Sequence, residues 1–146
     1  MKALVLHQPW AAFVALGMKP LETRGWPTSH RGELANCAAA HSPQLGMRSE
    51  LFNSAYILAA ETDGELVKAA GVVLAVVYLT DCCGATEASA TPRELALGDF
   101  SPGRFAWCLS SPQRLLRPVR VRGRQRIFNL LPAVEDAVRR QLPVSA

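Results

Sequence analysis

The 146-residue chain has no Cys-x-x-Cys pair, no apolar run of bilayer length and only three histidines. Each absence removes a class of function. Cys37, Cys82, Cys83 and Cys108 lack the spacing of a zinc site, and His7, His30 and His41 stand at no metal-ligand interval, so neither a metal nor another cofactor is expected. Neighbouring Cys82 and Cys83 are badly placed to bond each other, and free thiols in a reducing cytoplasm are the simpler reading. A membrane-crossing helix needs about 18 or more apolar residues in succession, and none is present. The opening Met1-Lys2-Ala3-Leu4 has too short an apolar run for a signal peptide. These absences predict a cytoplasmic protein without a membrane partner. Repeats, low-complexity segments and linkers are also missing, and the length suits one core, so residues 1–146 read as a single domain.

Acid is missing from one stretch in particular. Overall, 16 Lys and Arg stand against 12 Asp and Glu, a formal charge of +4 that permits a polyanionic partner without demanding one. Between Asp99 and Glu135, however, there is no acid at all, while Arg104, Arg114, Arg117, Arg120, Arg122, Arg124 and Arg126 all fall there. Four of these, Arg120 to Arg126, alternate, and an extended segment would line them along one side. Guanidinium forks match phosphate oxygens, so such a stripe suits nucleic acid. A solvated strand face neutralised by Glu87, Glu94 or Asp99 is the competing reading.

What is present divides into helices and strands without regular alternation, which argues against a doubly wound sheet and for an α+β domain. Ala3 to Leu6 reads as a strand. Pro9 opens a helix whose apolar face is Trp10, Phe13, Val14 and Leu16, stopped by Gly17. Leu21 to Arg24 is extended, Gly25 to Gly32 is a loop, and Glu33 to Ala39 is a second strand. Ser42-Pro43 starts a helix running towards Glu61. The Val-rich run Gly71 to Leu79 is the best central strand. Thr91-Pro92-Arg93-Glu94 is a capping box. Phe105 to Leu109 and Leu116 to Val121 read as two more strands, and Pro132 to Leu142 as a closing helix with acids in its first turn and arginines in its last.

The segment with most chemistry in it is Gly17-Met18-Lys19-Pro20-Leu21-Glu22-Thr23-Arg24. If residues 21–24 are extended, Glu22 and Arg24 share a face. Lys19 and Glu22 can pair, either as a rim salt bridge or as groups whose burial shifts their proton affinity. Trp10, Trp26, Phe105 and Trp107 could stack on bases or fill a core; Trp26, in a Gly-Trp-Pro loop, is the least core-like of them.

These segments together resemble the ASCH family, within the PUA-like superfamily. The resemblance rests on Leu4-Val5-Leu6-His7-Gln8-Pro9-Trp10-Ala11, on Gly17-x-Lys19-x-x-Glu22-x-Arg24, on Trp26-Pro27 and Arg31-Gly32, on residues 97–107 and on Val121-Arg122-Gly123-Arg124-Gln125. It implies a PUA-like small mixed β-barrel with flanking helices and a cleft lined by Lys19, Glu22 and Arg24. It also implies a role in RNA handling or, in some members, DNA binding. RNA is the favoured partner because unpaired bases suit such a pocket, with Trp26 to stack and Arg31, Arg104, Arg120, Arg122 and Arg124 to hold the nucleic acid. Some relatives look like metal-independent hydrolases, so the alternative is a single-strand ribonuclease or an acetylcytidine amidohydrolase in which Lys19, Glu22 and Arg24 are catalytic. The amidohydrolases carry a threonine three residues after the lysine. Here that position is Glu22, and Thr23 comes one residue late. Relatives of the present type also tend to have a histidine and a lysine where this chain has Cys37 and Ala40.

Overall fold

The computed structural model describes residues 1–144. In chain order the elements are β1 (Lys2–Leu6), α1 (Trp10–Ala15), β2 (Leu21–Arg24), β3 (Gly32–Ala38), α2 (Glu50–Thr62), α3 (Gly64–Lys68), β4 (Val72–Gly84), a 3₁₀ turn (Ala85–Glu87), α4 (Pro92–Ala96), β5 (Phe105–Arg120), β6 (Phe128–Asn129) and α5 (Pro132–Arg139). The strands form one sheet in the order β2-β5-β4-β3-β1-β6, antiparallel except for the β1–β3 pair. None of the helices is long and apolar enough to cross a membrane among the described residues.

Two cores explain why the central strands read as nearly continuous apolar runs. Leu4, Leu34, Leu74, Val77 and Trp107 face one side of the sheet, where they pack with Phe13 of α1 and Phe52 of α2. Ala3, Ala35, Cys37, Val73 and Val76 face the other, where Val138 of α5 and Leu130 cover them. Successive strand residues point to opposite faces, so a strand buried on both must be apolar at every position. In β4 the residues Val73 to Val77 are all buried.

The sheet does not close, and the barrel expectation is corrected to an open, α+β sheet. A barrel requires its first and last strands to share a hydrogen-bonded ladder. Here β2 pairs only with β5, and β1 pairs with β6 only at Lys2 and Ala3. A side chain spans the open seam instead of a ladder: Arg24 Nη2 of β2 donates to the Val5 carbonyl of β1 at 2.9 Å. The same seam holds the cleft described below.

Three local expectations also change. The second long helix begins at Glu50, not at Ser42-Pro43: the Ser49 side chain accepts from Phe52 N and caps it, while Ser42 Oγ accepts from Gln8 N. The two strands expected at 105–109 and 116–121 are one strand, β5, whose ladder to β4 slips around Ser111 (φ 51°). Pro112 and Pro118 are tolerated because β2 ends its pairing at Cys108, which leaves that part of β5 an edge. The alternating arginines do not form a strand stripe, since β5 stops at Arg120 and Arg126 takes a left-handed φ of 56°. The capping box is as read, with Thr91 Oγ1 accepting from Glu94 N and Glu94 Oε2 accepting from Thr91 N. All four cysteines are free; Cys37 is fully buried, and that burial pushes its thiol pKa up to about 12.

Candidate functional site

A cavity of about 570 Å³ opens along the unclosed seam. One wall is β1 from Leu4 to Leu6 with His7 just after it, and the other is β2, from Glu22 to Arg24. The turn after α4 (Leu97 to Asp99), Arg104 and residues 124–126 close its remaining sides, with Arg48 at the rim. Its size lies in the usual range for a small-ligand site.

The Gln-Pro-Trp segment builds this frame. Gln8 Nε2 donates to the carbonyls of Leu66 (2.8 Å) and Ala69 (2.9 Å), while its Oε1 accepts from Ala12 N. One side chain thus ties α3 to the start of α1. Trp10 Nε1 donates to the Leu97 carbonyl at 2.9 Å, which anchors the turn after α4 beside β1. On the other wall, Thr23 Oγ1 accepts from Asp99 N at 3.0 Å, so the same turn is held from both sides. Gly98 packs closely there: a Cβ would stand 2.9 Å from the Phe100 ring, 3.2 Å from Lys19 Nζ and 3.3 Å from Thr23 Oγ1, so a larger residue would make these side chains shift.

Lys19, Glu22 and Arg24 come together, but not as equals. Lys19 is 2% exposed and does not line the cavity. Its ammonium donates to the Leu21 carbonyl at 2.8 Å and stands 3.7 Å from Glu22 Oε1. Removal from water pulls its pKa below the usual lysine range, with Glu22 opposing that shift and Arg24 adding to it. Glu22 is buried but does face the cavity; its Oε1 accepts from Thr23 N at 2.8 Å, and its Oε2 lies 3.9 Å from Arg24 Nη2. Arg24 lines the cavity beside it, and its buried Nε has no hydrogen-bond partner among the described residues.

The arginines expected to bind divide in the same way. Arg104 and Arg124 line the cavity. Arg104 Nη2 donates to the Thr23 carbonyl at 3.1 Å, and its Nε lies 3.5 Å from Asp99. Arg120 and Arg122 are exposed and lie outside the cavity. Arg31 is also outside; it hydrogen-bonds the carbonyls of Thr28 and His30 and pairs with Asp81 at 3.7 Å. Trp26 is half-buried, edge-on to Trp107 at 4.7 Å between ring centroids, with the Arg126 guanidinium 4.9 Å from its ring. It lines no part of the cavity.

Sequence reasoning missed Arg48, His7 and Arg126 as cleft residues. Arg126 belonged to the alternating set and could have been included. Arg48 lies in a segment without regular structure, and only the fold places its guanidinium 5.2 Å from both the Trp10 and Phe52 rings. No clustered metal ligands occur among the described residues.

Comparison with known proteins agrees with this architecture. The ASCH domain family matches residues 4–122. Activating signal cointegrator 1 of Homo sapiens is 29% identical over 141 residues, which is 95% of this chain and 24% of that protein. The Mus musculus protein of the same name is 28% identical over the same shares. The chain therefore spans about a quarter of the length of these relatives. Among solved structures, an ASCH protein from Zymomonas mobilis superposes with a TM-score of 0.53 at 13% identity, covering 92% of this chain and 90% of that one. A single-site mutant of that protein gives 0.55 at 13% identity, covering 95% and 96%. At that identity the likeness speaks for the fold alone.

Proposed function

Because the chain belongs to the ASCH domain family, we propose that the seam cleft binds nucleic acid, with RNA as the natural class. The observation that carries this reading is the charge of the cleft. Arg24, Arg48, Arg104, Arg124 and Arg126 line it, against Glu22 and Asp99. Glu22 is offset by Lys19 beneath it, and Asp99 is engaged by Ser101 and Arg104. Arg124 and Arg126 make no ion pair with any described residue, so the electrostatic attraction of the rim is directed outwards. A concave site of this charge favours phosphates, and a cavity of small-ligand volume favours an unstacked nucleotide over the surface of a duplex. Lys19, the base that a hydrolase would need, is committed to the Leu21 carbonyl and to Glu22.

The test is fluorescence anisotropy with a labelled single-stranded RNA across a salt series. Affinity should fall with salt by roughly 0.7 in the log–log slope for each phosphate contacted. Replacing Arg124 and Arg126 together by Ala should lower that slope by about 1.4, two such contacts, and weaken binding at low salt. Absence of binding at low salt, or an unchanged slope in the double variant, would overturn the proposal. Duplex DNA as competitor separates a preference for RNA from general attraction to phosphate.

A further inference from the structure

A carboxylate inside an arginine-lined cleft repels phosphate, so Glu22 needs a different part of the ligand. Its side chain is 9% exposed and faces the cavity. Oε1 is used internally, by Thr23 N and Lys19. Oε2 accepts no hydrogen bond from the described residues, and its nearest charged neighbour, Arg24 Nη2, is 3.9 Å away. An ionised carboxylate is acceptor-only, while a guanidinium is donor-only. Arg24 spends Nη2 on the Val5 carbonyl and keeps a buried Nε with no acceptor. The β2 wall therefore presents the Glu22 Oε2 acceptor beside the donor-only Arg24 guanidinium, whose side chain is 25% exposed to the cavity while Nε itself stays buried.

Resting on the binding function proposed above, we infer that Glu22 and Arg24 read the Watson–Crick edge of an unpaired base. Every nucleobase carries on that edge an N–H next to a carbonyl oxygen or a bare ring nitrogen. The N–H donates to Glu22 Oε2, and the neighbouring acceptor receives from Arg24. Arginines at the rim, chiefly Arg124 and Arg126, hold the phosphate. The ligand class is thus a single-stranded or extruded nucleotide, since pairing would occupy the edge that the wall reads. Glu22 is a recognition residue in this scheme, and Lys19 is a positioning residue that acts through it.

The experiment compares nucleoside 5′-monophosphates with blocked counterparts on the intact chain, by calorimetry. Uridine and guanosine 5′-monophosphates are each compared with the edge-methylated form that loses the ring N–H and stays neutral, N3-methyl for uridine and N1-methyl for guanosine. Ribose 5-phosphate serves as the baseline. Methylation should weaken binding about tenfold or more, down towards the baseline, in line with the discrimination that one bidentate base contact supplies. Glu22→Gln should lose most of the margin over ribose 5-phosphate while leaving ribose 5-phosphate itself bound equally or more tightly. If nucleotide, methylated nucleotide and ribose 5-phosphate bind alike, the edge-reading inference is overturned while the phosphate cleft stands. If none binds and single-stranded RNA does not either, both fall. The wild-type methylation series decides the matter even where Glu22→Gln fails to fold.

Discussion

Two groups of arginines divide the molecule. Outside the cavity lining, Arg139 of α5 pairs with Glu33 at 3.1 Å and with Glu135 at 3.5 Å, and Arg114 of β5 pairs with Asp63. At the seam, Arg124 and Arg126 lie beside a cavity and pair with no acid among the described residues. The residue type is the same and all four are exposed on the surface. The difference is where the chain places its carboxylates. Paired arginines fasten α2, α5 and the sheet together, whereas unpaired ones leave their charge uncompensated, which is what the proposed binding draws on. A count of arginines along the chain therefore overstates the binding surface, because some of them are neutralised by residues distant in sequence, such as Glu33 with Arg139.

The strongest test of this contrast lies beneath the seam. Lys19→Met should destabilise the fold by about 3 kcal/mol, because it leaves Glu22 buried with only Arg24 in reach. Urea unfolding reads this directly; a loss below about 1 kcal/mol would show that Glu22 relaxes into solvent. The same variant carries a pH signature. The pKa of Lys19 is lower in the fold than in the unfolded chain, so the unfolded chain binds more protons over the window just below 10.5. Stability from this group should therefore rise with pH through that window, and Lys19→Met should flatten the rise. A steeper alkaline limb in the variant would contradict the direction of the shift.

Next in size is the exchange between the two arginine groups. Arg124→Ala with Arg126→Ala should reduce RNA affinity and salt slope while changing stability by less than about 0.5 kcal/mol. Arg114→Ala with Arg139→Ala should do the reverse, costing up to about 1 kcal/mol per exposed pair and leaving affinity within about twofold. Anisotropy and urea titration on both double variants make the comparison, and equal losses of affinity in the two would erase the distinction between fastening and binding arginines.

The smallest effect is expected where the sequence looked most suggestive. Arg120 and Arg122 are exposed, make no ion pair among the described residues and lie outside the cavity. Replacing both by Ala should alter mononucleotide binding by less than about twofold and stability by less than about 0.5 kcal/mol. A large loss of mononucleotide affinity would move the binding surface from the cleft to the end of β5.

Much of the fold was legible because its signals are local. The valine run of β4, the capping box at Thr91 and Glu94, and the alternation that puts Glu22 and Arg24 on one face of β2 each depend on residues close in the chain. What was misread depended on distant partners. The Ser42-Pro43 pair has the pattern of a helix start, yet Ser42 serves Gln8 instead. The neighbours of Trp26, Trp107 and Arg126, are likewise remote in sequence.

The sequence alone determined that Glu22 and Arg24 share a face, that Lys19 stands within reach of Glu22, and that positive charge accumulates after Asp99, since these follow from strand period and composition. Only the tertiary structure decided that the sheet stays open, that the opening is the cleft, and which arginines reach it. Closure depends on whether two edge strands meet, and a side chain's counter-charge depends on what the fold brings against it. Both are contacts between residues far apart in the chain, and no local pattern encodes them.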